Sequence, residues 1–516
     1  MGFTVCYASP FPMSIQERLR TLSGDALRGM RRGIEKESLR VRPDGSLAQT
    51  LHPQALGSAL THPHITTDFS ESQLELITGV HASVEACLEE LAHIHQVVYK
   101  HIGEEILWCA SMPCNLPADN LIPIGRYGTS NVGRAKTVYR LGLAHRYGRR
   151  MQAISGIHYN FSLPGVGDEQ YFGLIRNFRR HSWLLLYLFG ASPAVCSSFV
   201  AGRDHELVEL APGTHYSPHA TSLRMGRLGY QSDAQASLAV SYNSLKSYTA
   251  SLYDALTKPY PAYESIGILK DDQYNQLSTS LLQIENEFYG TIRPKRRIRR
   301  GERPLHALRE RGVEYVEVRL MDLDPFEPVG IAAPTSRFLD AFLLQCLIDP
   351  SPPDTPEEIS AVRRNLQNVA TRGREAGLQL QKDASPVKLR DWGRELILNC
   401  EQTAAVLDGA LAAGKAHQEA VAHARHALDH PEALPSARVL ATMARKHDNS
   451  FTRFALAESK RHAAHLRGLP FDAKTDARFV HLAAESLAEQ ARIEAADTVD
   501  FEAFRRKYLS PDLLKV

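Results

Sequence analysis

The sequence predicts an α+β fold: a largely antiparallel sheet with one face packed on helices and the other lining a polar cleft, followed by a largely helical C-terminal region. Three observations predict it. Four short segments place polar and apolar side chains on alternate faces, as strands do. Stretches between them carry apolar residues at helical spacing. Past a proline-rich break at residues 351–356 the composition turns to Ala, Leu, Arg and Glu. The 516-residue chain is 43% hydrophobic and 23% charged, which supplies a large core and excludes a disordered or fibrous protein. Residues 1–25 read as an N-terminal extension, 26–350 as the region that carries the site, and 351–516 as a helical region packed on it.

The elements follow in order. At residues 33–41, Glu35 and Glu37 share one face, with Lys36 and Arg40 opposite. Residues 67–78 carry Asp68, Glu71 and Glu75; the parity between Asp68 and Glu75 is broken, so a turn or bulge is needed to bring both to one surface. Val84, Cys87, Leu88, Leu91, Ile94 and Val98 recur at helical spacing. At 156–163, Ile157, Tyr159, Phe161 and Leu163 form an apolar face, leaving His158 and Asn160 on the other. At 313–320, Val316, Val318 and Leu320 lie mostly with apolar neighbours, while Tyr315, Glu317 and Arg319 face the opposite way. Residues 338–347 are apolar enough for a buried helix. Thr355-Pro356-Glu357-Glu358 reads as a capping box with Pro at the first helical position, and Ile359, Val362, Leu366 and Val369 continue it as an apolar stripe. Residues 355–508 read as almost wholly helical, without a fixed-period repeat.

Composition narrows the function classes. Sixty Lys plus Arg against 58 Asp plus Glu leave a net charge of +2, so no global field holds the chain on nucleic acid or an anionic membrane. Seven cysteines with no C-x-x-C pair read as reduced thiols without a zinc framework. The longest dense apolar stretch, 183–191, is about half of the ~20 residues a bilayer span requires, and no basic-then-apolar signal order opens the chain. A cytoplasmic protein is expected.

If the four strands share a sheet, the cleft collects Glu35, Glu37, Asp68, Glu75, His158 and Glu317. Carboxylates brought so close repel unless protonated or neutralised, and divalent cations are the commonest neutraliser. Oxygen ligands with one imidazole favour Mg²⁺ or Mn²⁺ over zinc or copper. A metal beside Arg319 points to phosphoryl transfer. Taken singly, each strand glutamate is equally well read as solvated sheet surface, and His158 as a satisfied polar histidine. No Walker A loop, H-E-x-x-H or G-x-S-x-G is present.

Together the segments carry more. RGIEKESLR at 32–40, TTDFSESQLE at 66–75, YGTSN at 127–131, SGIHYNFS at 155–162, LFGASP at 188–193, QIENE at 283–287, IRPKR at 292–296 and GVEYVEVR at 312–319 run in one order. In that order they closely resemble the proteobacterial-type glutamate-cysteine ligase family. The resemblance covers about residues 26–345, more loosely the helical remainder. It implies a fold related to glutamine synthetase, with an antiparallel sheet forming a funnel and helices outside. It also implies ATP as co-substrate, Mg²⁺, and a γ-glutamyl phosphate attacked by the amino group of cysteine, the first step of glutathione synthesis. Glu35, Glu37, Asp68, Glu75, His158 and Glu317 fall on the family's metal positions. Arg319 falls on the transferred phosphate, with Arg140 a second phosphate contact. Phe69, Tyr139, Arg224, Tyr230 and Tyr289 match the family's cysteine pocket, where aromatic walls accept a small thiol and Arg and phenol groups bind a carboxylate. Lys295 and Arg296, in the family's Arg-Pro-Lys-Arg, are assigned to ATP phosphates. Feedback inhibition by glutathione is expected.

Three features depart from the family pattern. Lys36 stands where Arg is common, though it points away from the cleft; residues 164–171 are shorter than in some relatives; and no residue of the C-terminal third is carried over. Other readings are a ligase on the same scaffold with a different amine acceptor, and a nucleic-acid-binding protein using Arg293, Lys295, Arg296, Arg297, Arg299 and Arg300. A bifunctional enzyme that also adds glycine needs a further ATP-binding domain of roughly 200 residues, more than remains after residue 345. The oligomeric state and the adenine contacts have no signature in the sequence. A monomer is admissible, and neither nucleic acid nor membrane is expected as a partner.

Overall fold

The predicted segments at 33–41, 156–163 and 313–320 each hold one strand and that at 67–78 a turn between two in the computed structural model, which describes residues 13–229, 238, 240–299, 301–383 and 385–514. Seven strands build the main sheet: β1 (Arg31–Val41), β2 (Ile65–Thr67), β3 (Gln73–Ile77), β4 (Ile106–Leu107), β5 (Ile157–Ser162), β6 (Ile292–Lys295) and β7 (Tyr315–Met321). Their order is β6-β7-β5-β1-β3-β2, with β4 beside β1, and every pairing is antiparallel. Residues directly opposite share a face. Glu35 lies opposite His158, Glu37 opposite Glu75, and Glu317 opposite both Asn160 and Arg293. The register therefore gathers onto one surface residues up to 282 positions apart in sequence, as 317 minus 35 gives.

The other face is the core. Ile34, Leu74, Leu76, Tyr159, Phe161, Val316 and Val318 are buried. The helix Val84–His101 packs on β1 and β3, and Asp168–His181 on β6 and β7. Lys36 is on this face as predicted, its amine 2.7 Å from His95 Nε2, and burial pushes it down to about 7. The broken parity at 67–78 is resolved by a hairpin. Asp68 N–H donates to the Gln73 carbonyl (3.0 Å) and Thr66 stands opposite Glu75, so Asp68, two residues beyond Thr66, reaches the face that Glu75 occupies. A register shift between Val318 and Met321 bulges β7 just past Glu317.

The buried helix expected at 338–347 spans Ala333–Ile348. Its Asp340 accepts from Arg32 of β1 (Nε, 3.0 Å) and from Tyr159 of β5 (2.8 Å), tying helix to sheet. Beyond it, Thr355 caps the helix Pro356–Arg372 by accepting from Glu358 N–H at 3.2 Å. The reciprocal bond of a capping box is replaced, because the Glu358 carboxylate takes both Nε and NH2 of Arg180. The expectation of an almost wholly helical C-terminal region needs correction: Gln379–Lys382 and Ser385–Lys388 form an antiparallel hairpin. Leu380 buries against the core while Asp383 takes a left-handed turn conformation (φ 51°), which an aspartate tolerates. Helices Ile15–Arg20 and Gly24–Arg28 of the extension pack on Leu389–Leu411. One hydrophobic cluster runs from Leu27 to Leu514 through the sheet and the C-terminal helices. Among the described residues no helix is long and apolar enough to cross a membrane, and the six described cysteines are free and buried.

Candidate active site

Because β5 lies between β1 and β7, His158 stands amid the acids. Its Nδ1 is 3.1 Å from Glu35 Oε2 and its Nε2 3.5 Å from Glu37 Oε1. Asn160 donates to Glu35 Oε1 (3.0 Å), and Gly156 N–H to Glu37 Oε2 (2.7 Å). Ligand atoms of Glu35, His158 and Glu317 lie within 4.8 Å of one another. Glu317 takes Lys295 Nζ at 3.1 Å and Arg319 NH1 at 3.0 Å. Arg319 also comes within 3.5 Å of His158 Nδ1. Glu71, by contrast, spends its carboxylate on the backbone N–H groups of His52 and Arg126 and is structural.

The cluster is electrostatically divided. At the β7 side, burial opposes ionisation of Glu317, but Lys295, Arg319 and His158 outweigh it and hold the carboxyl well below its ordinary range. Glu35 also ends below it, with burial and Glu317 overcome by His158 and Lys295. At the β3 side the cations are fewer. Burial and Asp68 raise Glu37; burial together with Glu35, Asp68 and Glu37 raises Glu75 well above the carboxylate range. A divalent cation would bind such a set by displacing protons from its raised members. Oxygen donors with one imidazole, of which Glu35, His158 and Glu317 already present ligand atoms to one another, are the kind of set that suits a hard ion.

The remaining predicted residues divide by position. Arg224 is buried at the cleft: its NH2 donates to the Arg319 carbonyl (3.0 Å) and it approaches Asp322 at 3.8 Å. Only a glycine at 156 leaves it room, since a Cβ there would lie 2.0 Å from that NH2. Phe69 and Tyr139 are buried in a smaller apolar cluster with Val138, Leu143 and Phe501. The Tyr289 hydroxyl accepts from Gln152 Nε2 (2.6 Å), and its ring meets Tyr147 edge-on. Tyr230 lies outside the described residues. Arg140 lies over Tyr127 and donates through Nε to the Asp68 carbonyl. Lys295 is in the cleft, but Arg296 turns away from it. Just past the end of β6, its NH1 donates to the Arg311 carbonyl and its Nε lies 3.9 Å from Glu314.

Among the described residues, the rest of the basic run is held by neighbouring carbonyls and carboxylates. Arg293 NH2 donates to the carbonyls of Asn286 and Phe288, Arg297 pairs with Glu314, and Arg299 with Glu310. Arg300 lies outside the described residues. Sequence reasoning passed over several residues that shape the site. Asp322 accepts from Ala191 N–H, Ser192 Oγ and Ser222 Oγ and so fixes the ground behind Arg224; LFGASP contains two of those donors, but nothing in the motif names its acceptor. Lys136 and Tyr127 flank Arg140.

The glutamate-cysteine ligase family model matches residues 17–369. A protein of Alcanivorax borkumensis named glutamate–cysteine ligase is 48% identical over 522 residues, covering 96% of this chain and 99% of that one. One of Pseudomonas entomophila with the same name is 51% identical over 502 residues, covering 94% of each. Among solved structures, the glutamate–cysteine ligase of Francisella tularensis in complex with AMP superposes with a TM-score of 0.88 at 38% identity, over 93% of this chain and 97% of that one. A bifunctional glutathione synthetase of Pasteurella multocida gives 0.69 at 26% identity, over 91% of this chain but 57% of the other. The matches extend along nearly the whole sheet, cleft and helical region, and the chain belongs to the glutamate-cysteine ligase family.

Proposed function

We propose that the chain is an ATP-dependent ligase joining the γ-carboxylate of L-glutamate to the amino group of L-cysteine, the first step of glutathione biosynthesis. What supports this reading is membership of that family together with a cleft in which the register sets Glu35, Glu37, Glu75, His158 and Glu317 on one face beside Arg319. A γ-carboxylate oxygen attacks the terminal phosphorus of ATP and ADP leaves; the cysteine amine then attacks the acyl carbon of γ-glutamyl phosphate and inorganic phosphate leaves. Mg²⁺ held by those glutamates, His158 and Asp68 would neutralise phosphate charge. Arg319, kept charged although buried, offsets the charge that spreads over the transferred group, and Lys295 supports it across Glu317. Arg224 receives the cysteine carboxylate, with Phe69, Tyr139, Tyr230 and Tyr289 as the pocket wall. Glutathione is read as a feedback inhibitor and the working unit as a monomer.

A coupled ADP-release assay with glutamate, varying the amine acceptor, tests the reading. ADP release is expected to require glutamate, cysteine and Mg²⁺ together and to produce γ-glutamylcysteine. Equal turnover with glycine or a polyamine would replace the cysteine assignment by a same-fold ligase of other specificity.

A further inference from the structure

The helix Asn131–Tyr147 begins at Ser130, whose hydroxyl accepts from Gly133 N–H (3.1 Å). Gly133 lets this helix press on the preceding loop, where a Cβ would lie 2.2 Å from the Tyr127 carbonyl oxygen. The first turns are thereby set against Tyr127. Its hydroxyl accepts from Thr67 Oγ1 (2.9 Å) and lies 2.8 and 2.9 Å from the carbonyls of Thr67 and Asp68. Tyr127 is a fixed wall directly behind Asp68.

Two cations stand on that wall. Lys136 Nζ is 4.9 Å and Arg140 Cζ 4.4 Å from the centroid of the same ring. They are four residues apart on one helix, so they are neighbours and their like charges repel. Arg140 spends its Nε on the Asp68 carbonyl and its NH1 on the Lys136 carbonyl (2.9 Å), both neutral acceptors. Lys136 makes no ion pair among the described residues. Burial and Arg140 push its amine down to about 8, with Glu75 acting in the opposite sense. Two positive charges brought together without a carboxylate partner are stable only at a cost that an entering anion would relieve.

The surroundings select the anion. Asp68, whose carbonyl holds Arg140, and Glu75, whose carboxyl acts on Lys136, border the pair, and a cleft lined with carboxyl groups disfavours an anion that arrives without a divalent cation. A free substrate carboxylate arrives without one; a phosphoryl group on MgATP arrives with one. Resting on the ligase reading above, we propose that Lys136 joins Arg140 in clamping a phosphoryl group, either of the bound nucleotide or of the γ-glutamyl phosphate made from it. The clamp forms and breaks no bond. It offsets charge on the phosphoryl oxygens from the side opposite Arg319.

The test uses K136M, which removes the charge, and K136R, which keeps it, with thermal melting to verify folding. ADP release is measured while ATP, glutamate and cysteine are varied in turn, and binding of MgATP and of AMP is titrated without turnover. K136M is expected to lower kcat, or kcat/KM for ATP, by about 10²-fold, leaving AMP binding and the KM for cysteine within about twofold; K136R is expected to recover most of the loss. A loss in kcat with MgATP affinity retained assigns the clamp to the transferred group. A loss of MgATP affinity in the absence of glutamate assigns it to the nucleotide. A rise confined to the KM for cysteine or glutamate overturns the proposal in favour of a carboxylate site, and parent kinetics in folded K136M overturn it outright. If the parent releases no ADP with glutamate and cysteine, it is the ligase reading that fails, while the MgATP titration still decides the clamp.

Discussion

At the scale of single residues, the cleft shifts chemically identical groups in opposite directions. Lys295 and Arg319 touch Glu317 and, against burial, hold its carboxyl well below the ordinary range, whereas burial, and after it Glu35, Asp68 and Glu37, raise Glu75 well above that range. Arg319→Ala is expected to lower kcat by about 10²–10³, the size of losing one charge-stabilising donor; a folded variant with parent kcat would remove Arg319 from the mechanism. Glu317→Gln is expected to shift the Mg²⁺ dependence to higher concentration, since a neutral amide is a poorer ligand for a hard cation. The raised Glu37 and Glu75 add a pH sign. Metal entry displaces protons from them, so Mg²⁺ binding is expected to release protons in weakly buffered solution and to tighten as pH rises. Absence of proton release at neutral pH would show that both acids are already ionised.

At the scale of elements, one glycine decides whether β5 can serve two masters. Gly156 gives its N–H to Glu37 and its missing Cβ to Arg224. Gly156→Ala leaves the first intact and forces the guanidinium aside, against the hold of Asp322 and the Arg319 carbonyl. The expected result is a folded enzyme whose KM for cysteine rises by about tenfold or more, the loss of one charged hydrogen bond, with the KM for ATP little changed. An unaltered cysteine KM would take Arg224 out of that pocket. The hairpin β2–β3 is a comparable device, because the turn at residues 68–72 alone brings Asp68 to the face of Glu75.

At the scale of the whole molecule, buried ionic links join the sheet to helices far along the chain. Arg32 and Asp340 are nearly inaccessible, and Asp340 approaches His417, itself paired with Asp408. Arg32→Met leaves a buried carboxylate uncompensated and is expected to cost about 3–5 kcal/mol in denaturant unfolding, partly restored by adding Asp340→Asn. Glu90 links differently. Burial opposes its charge, but His81, the Gly79 N–H and Arg478 of the helix Ala473–Ala495 lower it to about 2. A depressed acid stabilises the fold fully above its ordinary value near 4.5 and loses that contribution as pH falls toward 2. The melting-temperature gap between parent and Glu90→Gln is therefore expected to be widest near neutral pH and to narrow below about 4.5; a gap independent of pH would refute the assignment.

Alternation and composition by themselves determined the strands, the shared face of Glu35 and Glu37, that of Glu317 and Arg319, the turn of Lys36 away from the cleft and the onset of the C-terminal helices. These follow from local geometry, in which side chains two apart on a strand must share a face. Local geometry failed where one residue's partner lies far away. Glu358 left its expected cap for Arg180. Asp68 joined Glu75 through a turn that parity required but could not specify. The pairing of Lys136 with Arg140 over Tyr127, the upward shift of the Glu75 carboxyl and the support of Arg224 by Asp322 were decided only by tertiary structure. Charge, burial and hydrogen-bond satisfaction depend on which atoms meet across the fold, and sequence separation carries no record of that distance.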